Sequence, residues 1–384
     1  MSKKMLYILN IANRVNSFSY TSMLAAQELG FEYHIAGNWS YQNDSERQKD
    51  EIKYGVHIHQ IGFIRAPYHP GNIEAYHQLV QIAEREQFDV IHCNTPIGGV
   101  AGRLLGRRFH TPTVIYQAHG FHFYKGAPLL NWLIFYPVEK WLARDTDALI
   151  TINQEDFKRA QSFRLRNNGE VFYVPGVGID RTRYMRDDEK RKRKREELGL
   201  KENSIMVISA GDLVGRKNYE VSLRAVAAAK RADMEYYICG SGPREKRLKN
   251  LAVRLGIGNR VHFLGYRTDM LELWNAADIF LFSSLQEGLS RSLCEAMASS
   301  LPCVVSDIRG NVDLIKDGVG GFFCKAEDEN DFAQRLRLLA DDPTLRDSMG
   351  RSNFSRLDAF SINNSKEAMK KVYLACMTEK ANTK

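Results

Sequence analysis

Two glutamates stand eight positions apart in the stretch Ser283-Ser-Leu-Gln-Glu287-Gly288-Leu289-Ser290-Arg-Ser-Leu-Cys-Glu295-Ala-Met-Ala. A helix beginning at Glu287 would set both carboxylates on roughly one face, since eight positions is a little over two turns at about 3.6 residues per turn. Gly288 argues against that start. The better geometry leaves Glu287 and Gly288 in a loop, makes Ser290 the N-cap, and places Glu295 on the buried side of the helix with its head turned toward a cleft. A carboxylate at either position can accept two charge-assisted hydrogen bonds from vicinal hydroxyls. The N–H groups of Gly288, Leu289 and Ser290, at the positive end of the helix, suit an anion.

Cations come from Gly211-Asp-Leu-Val-Gly215-Arg216-Lys217-Asn218, which follows a strand pattern and opens a helix. Backbone N–H groups and two positive side chains in one turn suit a diphosphate. Read as a solvated basic pair, Arg216 and Lys217 would oppose the helix dipole, a small penalty that argues for a purpose. Cys239-Gly240-Ser-Gly242-Pro243 is a weaker signal, because many strand-to-helix joins look alike. His119 and His122 lie three apart in Gln117–Gly126. A metal pair would need a further acidic or cysteine ligand at suitable spacing, and none stands nearby. His119 is then a structural or a ligand-contacting residue, and His122 a residue of the loop.

The elements that must position these groups alternate strand with helix. Apolar runs near residues 5–9, 32–36, 56–61, 88–93, 113–118, 147–152 and 171–174 read as strands, separated by helical segments at 18–29, 73–86 and 96–109. After Pro175–Asp180 and a charged stretch from Arg181 to Glu197, strands restart at 204–209 and recur near 236–239, 261–264, 278–282, 302–306 and 321–324. Such alternation predicts parallel sheets with crossover helices, and 384 residues exceed what one core usually supports. Two doubly wound α/β domains facing across a cleft follow, with the last helices between 328 and 379.

Beyond the glutamate pair, Gly288, Ala296-Met297-Ala298, Leu301-Pro302 and Gly318-Val-Gly320-Gly321 complete a pattern that resembles the E-x7-E signature of the retaining glycosyltransferases of family 4, which have the GT-B fold. The resemblance extends over most of the chain. It implies an acceptor-binding Rossmann-like domain over residues 1–180, a nucleotide-sugar-binding one over 181–361, and a helix in 362–384 that crosses back to the first. It further implies that Arg216 and Lys217 neutralise a leaving nucleoside diphosphate, that Glu287 and His119 contact the donor sugar, and that Glu295 accepts from ribose hydroxyls. Gly240 and Gly242 would line the nucleotide side, with Tyr266 or Arg267 against the base. One departure is the turn after the first strand, Asn10-Ile-Ala-Asn13-Arg14-Val-Asn16-Ser17, which lacks the family's glycine pair. Side chains of Asn13, Arg14 or Ser17 would then serve the acceptor side, along with His122. Ser300 and Arg309-Gly310-Asn311-Val-Asp313 also replace glycine-richer family patterns.

The implied reaction moves a hexosyl group, expected from a UDP-sugar, to a polyprenyl-linked or saccharide acceptor of surface polysaccharide or glycoconjugate synthesis, with retained configuration. No cofactor or divalent metal is expected, because Arg216, Lys217 and a helix dipole can offset the diphosphate and no D-x-D motif stands at a suitable loop. A GT-B sugar-nucleotide epimerase and a non-catalytic sugar-nucleotide-binding scaffold are the alternatives.

Composition sets the remaining expectations. Neither a membrane-spanning run nor a secretory leader is evident, and the six cysteines are scattered as reduced core residues, so a cytoplasmic protein is expected. A net charge of +8 comes without any nucleic-acid-binding signature. Lys190–Arg195 is either a solvated face or an attractor of anionic lipid at the inner membrane face. Leu129–Leu142 is amphipathic and aromatic-rich, with core burial favoured over lipid contact.

Overall fold

The computed structural model describes residues 2–15 and 18–378. They divide into two compact units, one running to residue 178 and resuming at 362, the other spanning 179–361. Chain order in the first is β1 (Lys4–Ile11), α1 (Tyr20–Glu28), β2 (Glu32–Asn38), α2 (Asp44–Tyr54), β3 (His57–Gln60), α3 (Gly71–Glu86), β4 (Val90–Asn94), α4 (Pro96–Arg108), β5 (Thr113–Ala118), α5 (Leu129–Leu142), β6 (Ala148–Thr151), α6 (Gln154–Ala160) and β7 (Glu170–Tyr173). The second continues with α7 (Asp188–Glu197), β8 (Ile205–Ala210), α8 (Tyr219–Ala228), β9 (Met234–Cys239), α9 (Glu245–Arg254), β10 (Val261–Gly265), α10 (Met270–Ala276), β11 (Ile279–Phe282), α11 (Arg291–Ala298), β12 (Cys303–Ser306), α12 (Asn311–Leu314), β13 (Gly321–Cys324), α13 (Glu329–Asp341) and α14 (Pro343–Arg356). Finally α15 (Ile362–Thr378) returns to the first unit. There it packs on α1, and Tyr373 Oη meets His92 Nδ1 at 2.8 Å.

Each unit is one parallel sheet, in strand order β3-β2-β1-β4-β5-β6-β7 and β10-β9-β8-β11-β12-β13. The apolar runs β4, β5, β8 and β11 are buried throughout, as strands covered on both faces must be. Strand order reverses between β1 and β4 in one sheet and between β8 and β11 in the other. At such a switch point the loops leaving the carboxyl ends of two strands part to opposite faces and open a crevice. All six cysteines are buried.

Two elements depart from expectation. Helix α2 was not foreseen because it buries no residue and so has no apolar stripe; its capping box, Asn43 with Glu46, and left-handed Gly55 at its end delimit it instead. The expected core burial of α5 is corrected: Trp132, Phe135 and Tyr136 pack inward, but Leu129 and Leu133 are 73% and 65% exposed, and Leu130, Ile134, Val138 and Trp141 join them. The helix is apolar on nearly all sides, and the domain covers only one of them.

The basic run is divided in function. Arg191 and Arg195 both bond Asp278 and the last carbonyls of α10, and Lys194 is buried against Asp269 and Glu197. Half of the six side chains in Lys190–Arg195 therefore fasten α7 to its own unit, and Lys190, Lys192 and Arg193 reach solvent.

Candidate active site

The crevice of the second sheet gathers the strongest charges named from the sequence. Loop 211–218 leaves β8 and loop 283–290 leaves β11, the two strands flanking the switch point. Leu285 N–H donates to the carbonyl of Arg216 at 2.8 Å, so the two loops are stitched together by backbone. Lys217 Nζ lies 2.7 Å from Glu287 Oε1, Arg216 Nη1 lies 3.4 Å from the same oxygen, and Ser284 Oγ donates to it at 2.7 Å. Lys217 and Glu287 are buried, whereas Arg216 is half exposed. A buried cation and carboxylate held this way meet the need of each for a partner while keeping both beside the open crevice.

Ser290 is the N-cap of α11, accepting from Leu293 N–H, and Ala296, Met297 and Ala298 are fully buried on the sheet. Glu287 and Gly288 sit in the loop just before it, with Leu289. Glu295 turns one oxygen to Tyr184 Oη at 3.1 Å and to Arg291 Nε at 3.0 Å. Burial and the neighbouring carboxylate push the Tyr184 phenol up to about 12, so it stays a donor. Arg291, four residues before Glu295, was legible as a helical pair. Tyr184 was not, because it arrives from a segment more than a hundred residues away.

Gly240 and Gly242 are demanded by close packing: a Cβ on Gly240 would lie 2.0 Å from the carbonyl oxygen of Gly211, and one on Gly242 would lie 2.7 Å from that of Leu213. Their turn thus nests against the loop that carries Arg216 and Lys217. Arg244, which the sequence analysis passed over, lies against Gly215 and is held by Glu220 at 3.1 Å. It brings a third cation to the loop. Tyr266 is 82% exposed, while the fork of Arg267 is taken up by both oxygens of Asp269. Of that pair the tyrosine is the side chain with a face open for stacking.

In the first unit, His119 directly follows β5, beside Asn94 at the end of β4. Its Nε2 lies 3.0 Å from Asn94 Oδ1, which makes Nε2 the protonated nitrogen, and its buried Nδ1 has no partner among the described residues. Burial lowers the His119 pKa to about 4, leaving a neutral ring with a free lone pair. His122 instead packs on Phe135 of α5, ring centroids 4.6 Å apart, and its carbonyl accepts from Asn131. Asn13 and Arg14 are exposed in the turn after β1; Ser17 lies outside the described residues. Among the described residues the one grouping of metal-ligating side chains is Glu32, His34 and His57, at the amino ends of β2 and β3 and so at the opposite end of the first sheet from His119.

Two parallel, doubly wound units with charged loops at a switch point make up the GT-B architecture, and known proteins supply the activity. Residues 190–356 match the family model described as glycosyl transferases group 1, and residues 20–175 match a glycosyl transferase 4-like domain. A putative glycosyltransferase, EpsD of Bacillus subtilis, is 34% identical over 98% of both chains. The chain therefore belongs to the group 1 glycosyltransferases and is a glycosyltransferase enzyme. A UDP-Gal:α-D-GlcNAc-diphosphoundecaprenol α-1,3-galactosyltransferase of Escherichia coli is 27% identical over 79% of each chain. HepE of Anabaena, solved with UDP and glucose, shares the fold at a TM-score of 0.79 and 18% identity, covering 97% of this chain and 100% of its own.

Proposed function

We propose that the enzyme transfers a hexosyl group from a UDP-sugar to a hydroxyl of a polyprenyl-diphosphate-linked or saccharide acceptor in surface polysaccharide or glycoconjugate synthesis, with retained configuration. The observation that carries this reading is the buried Lys217–Glu287 pair, with Arg216 beside it, at the switch point and next to the amino end of α11. UDP and glucose in HepE, and the lipid-diphosphate acceptor named for the Escherichia coli relative, supply the substrate classes by analogy. The epimerase alternative finds no support in these relatives.

In this reading the bond from the sugar's anomeric carbon to the diphosphate oxygen breaks, and a bond from that carbon to the acceptor oxygen forms on the same face. The acceptor proton passes to the departing diphosphate. Arg216 and Lys217 offset the charge that grows there, and the N–H groups of Gly288, Leu289 and Ser290 extend the same positive field. Every contact that Glu287 makes with these cations and with Ser284 falls on Oε1, so Oε2 is the oxygen for a sugar hydroxyl. His119, neutral, accepts from a sugar hydroxyl at Nδ1. Tyr266 stacks on the base, and Gly240 and Gly242 let the backbone approach the nucleotide. Asn13 and Arg14 serve the acceptor. With the diphosphate charge met by side chains, transfer needs no divalent metal: kcat is expected to be unchanged in EDTA, and loss of activity restored by magnesium or manganese would refute this.

Glu295 is assigned to the ribose hydroxyls. Its charged hydrogen bonds are worth about 1.5–3 kcal/mol, so Glu295→Ala is expected to weaken UDP binding by roughly 10–100-fold while the melting temperature holds. Calorimetry that returned the parental affinity would remove the assignment.

Support for a membrane-borne acceptor comes from α5, among whose neighbours is the loop carrying His119 and His122. Its single acid, Glu139, is turned inward to Arg103, while Lys140 of the helix itself is exposed and Arg107, paired with Asp145, lies over the ring of Trp141 at the edge of the exposed apolar face. No helix among the described residues is long and apolar enough to cross a membrane. An apolar strip with a cationic rim suits the surface of an anionic bilayer, with about 1 kcal/mol from each basic residue near it. Leu130→Asp with Leu133→Asp is expected to abolish co-sedimentation with anionic liposomes and to spare UDP affinity. A parent protein that stays in the supernatant at low salt would leave a soluble acceptor as the better reading.

A further inference from the structure

Outside the transfer site, three histidines and a glutamate meet at the edge of the first sheet. In the β2–β3 ladder His34 pairs with His57 and Ala36 with His59. Because side chains alternate along a strand, Glu32 and His34 share a face of β2, and His57 and His59 share the matching face of β3. The rings stack, His34 on His57 at 4.6 Å and on His59 at 5.2 Å. Glu32 Oε1 lies 3.1 Å from His34 Nε2 and 3.3 Å from His57 Nε2, and the three ligating atoms all lie within 4.8 Å of one another.

Ligand bonds of 2.0–2.2 Å in a tetrahedron set ligand atoms about 3.3 Å apart, so two of the three separations already fit one ion. We infer that Glu32, His34 and His57 form a binding site for a divalent transition ion, with a fourth position open to water beside the exposed His57. Two imidazoles and one carboxylate suit zinc, cobalt or nickel and disfavour magnesium and calcium. His34 holds its second nitrogen, Nδ1, 2.9 Å from His59 Nε2, the outer-shell hydrogen bond that orients a ligating imidazole.

The other charges nearby are accounted for. Lys4 Nζ lies 3.7 Å from Glu32 Oε1 but is held by Glu86 at 2.8 Å, and Arg85 also bonds Glu86. Ser2 Oγ touches Glu32 Oε2 at 3.5 Å. Since β3 is a four-residue edge strand, an ion here would clip it to β2, away from the loops at the carboxyl ends of the strands. The expected role is structural and separate from sugar transfer.

The test uses full-length, tag-free protein stripped with chelator. Titrated with zinc in a calorimeter, it is expected to bind one ion and to melt at a higher temperature, with no response to magnesium. Cobalt is expected to give the visible absorption of a low-coordinate site. His57→Ala, a change at an exposed position, should remove zinc binding and the cobalt absorption while UDP affinity stays parental, and His59→Ala should weaken zinc by about 10–100-fold. Absence of zinc binding in the parent, or stoichiometric binding that survives His57→Ala, would overturn the inference.

Discussion

Lys217→Met is expected to lower kcat by about 10²–10³-fold with little change in KM, the cost of removing one preorganised group from a charge that develops only in the transition state. Lys217 is the cation closest to Glu287 and the more buried of the adjacent pair, so water replaces it poorly. The substitution also leaves Glu287 with Arg216 and Ser284 as its partners, and a fall in melting temperature should accompany the loss of rate. Adding Glu287→Gln should recover stability and leave kcat low. Steady-state transfer assays and melting curves on the single and double variants make the comparison; a single variant that turns over at the parental rate would falsify the leaving-group role.

The second large effect concerns the fold that carries α5. Arg103 is fully buried, donates to Gly99 O at 2.8 Å and to Glu139 Oε2 at 2.7 Å, and stacks 3.9 Å from the ring of Tyr116, whose hydroxyl donates to Glu139 Oε1. These contacts tie α5 to α4 and β5. Arg103→Met strands Glu139, and breaking a buried pair in this manner costs about 3–5 kcal/mol. Urea unfolding followed by circular dichroism should register that loss, and Arg103→Met combined with Glu139→Met should return much of it. Equal losses in the single and double variants would mean that packing of the guanidinium, and not its charge, secures the helix.

Much of the second unit could be read in advance. Ser290 as N-cap, Glu287 and Gly288 in the preceding loop, and Ala296–Ala298 on the sheet follow from local capping chemistry and helical period, and the structure has each of them. The same holds for the strand alternation that requires parallel sheets. Helix α2 could have been found from its capping box, but a search led by apolar period passes over a helix that buries nothing.

What sequence determined by itself was local: which segments are strands, where α11 begins, and that two cations and a carboxylate would sit in loops at strand ends. Those properties depend on neighbours a few residues away, and hydrogen bonding and side-chain period express them directly. Tertiary structure decided which loops meet. Strand order brings β8 beside β11 and so joins Lys217 to a glutamate seventy positions on, and pairs β2 with β3 so that His34 and His57 face one another; packing of the 181–184 segment on α11 brings Tyr184 to Glu295. It also decided that α5 turns half its apolar surface outward and that Arg191, Lys194 and Arg195 are spent on Asp278 and Asp269. Burial and pairing are properties of the packed sheet, and a periodic pattern states that a face is apolar without stating what, if anything, covers it.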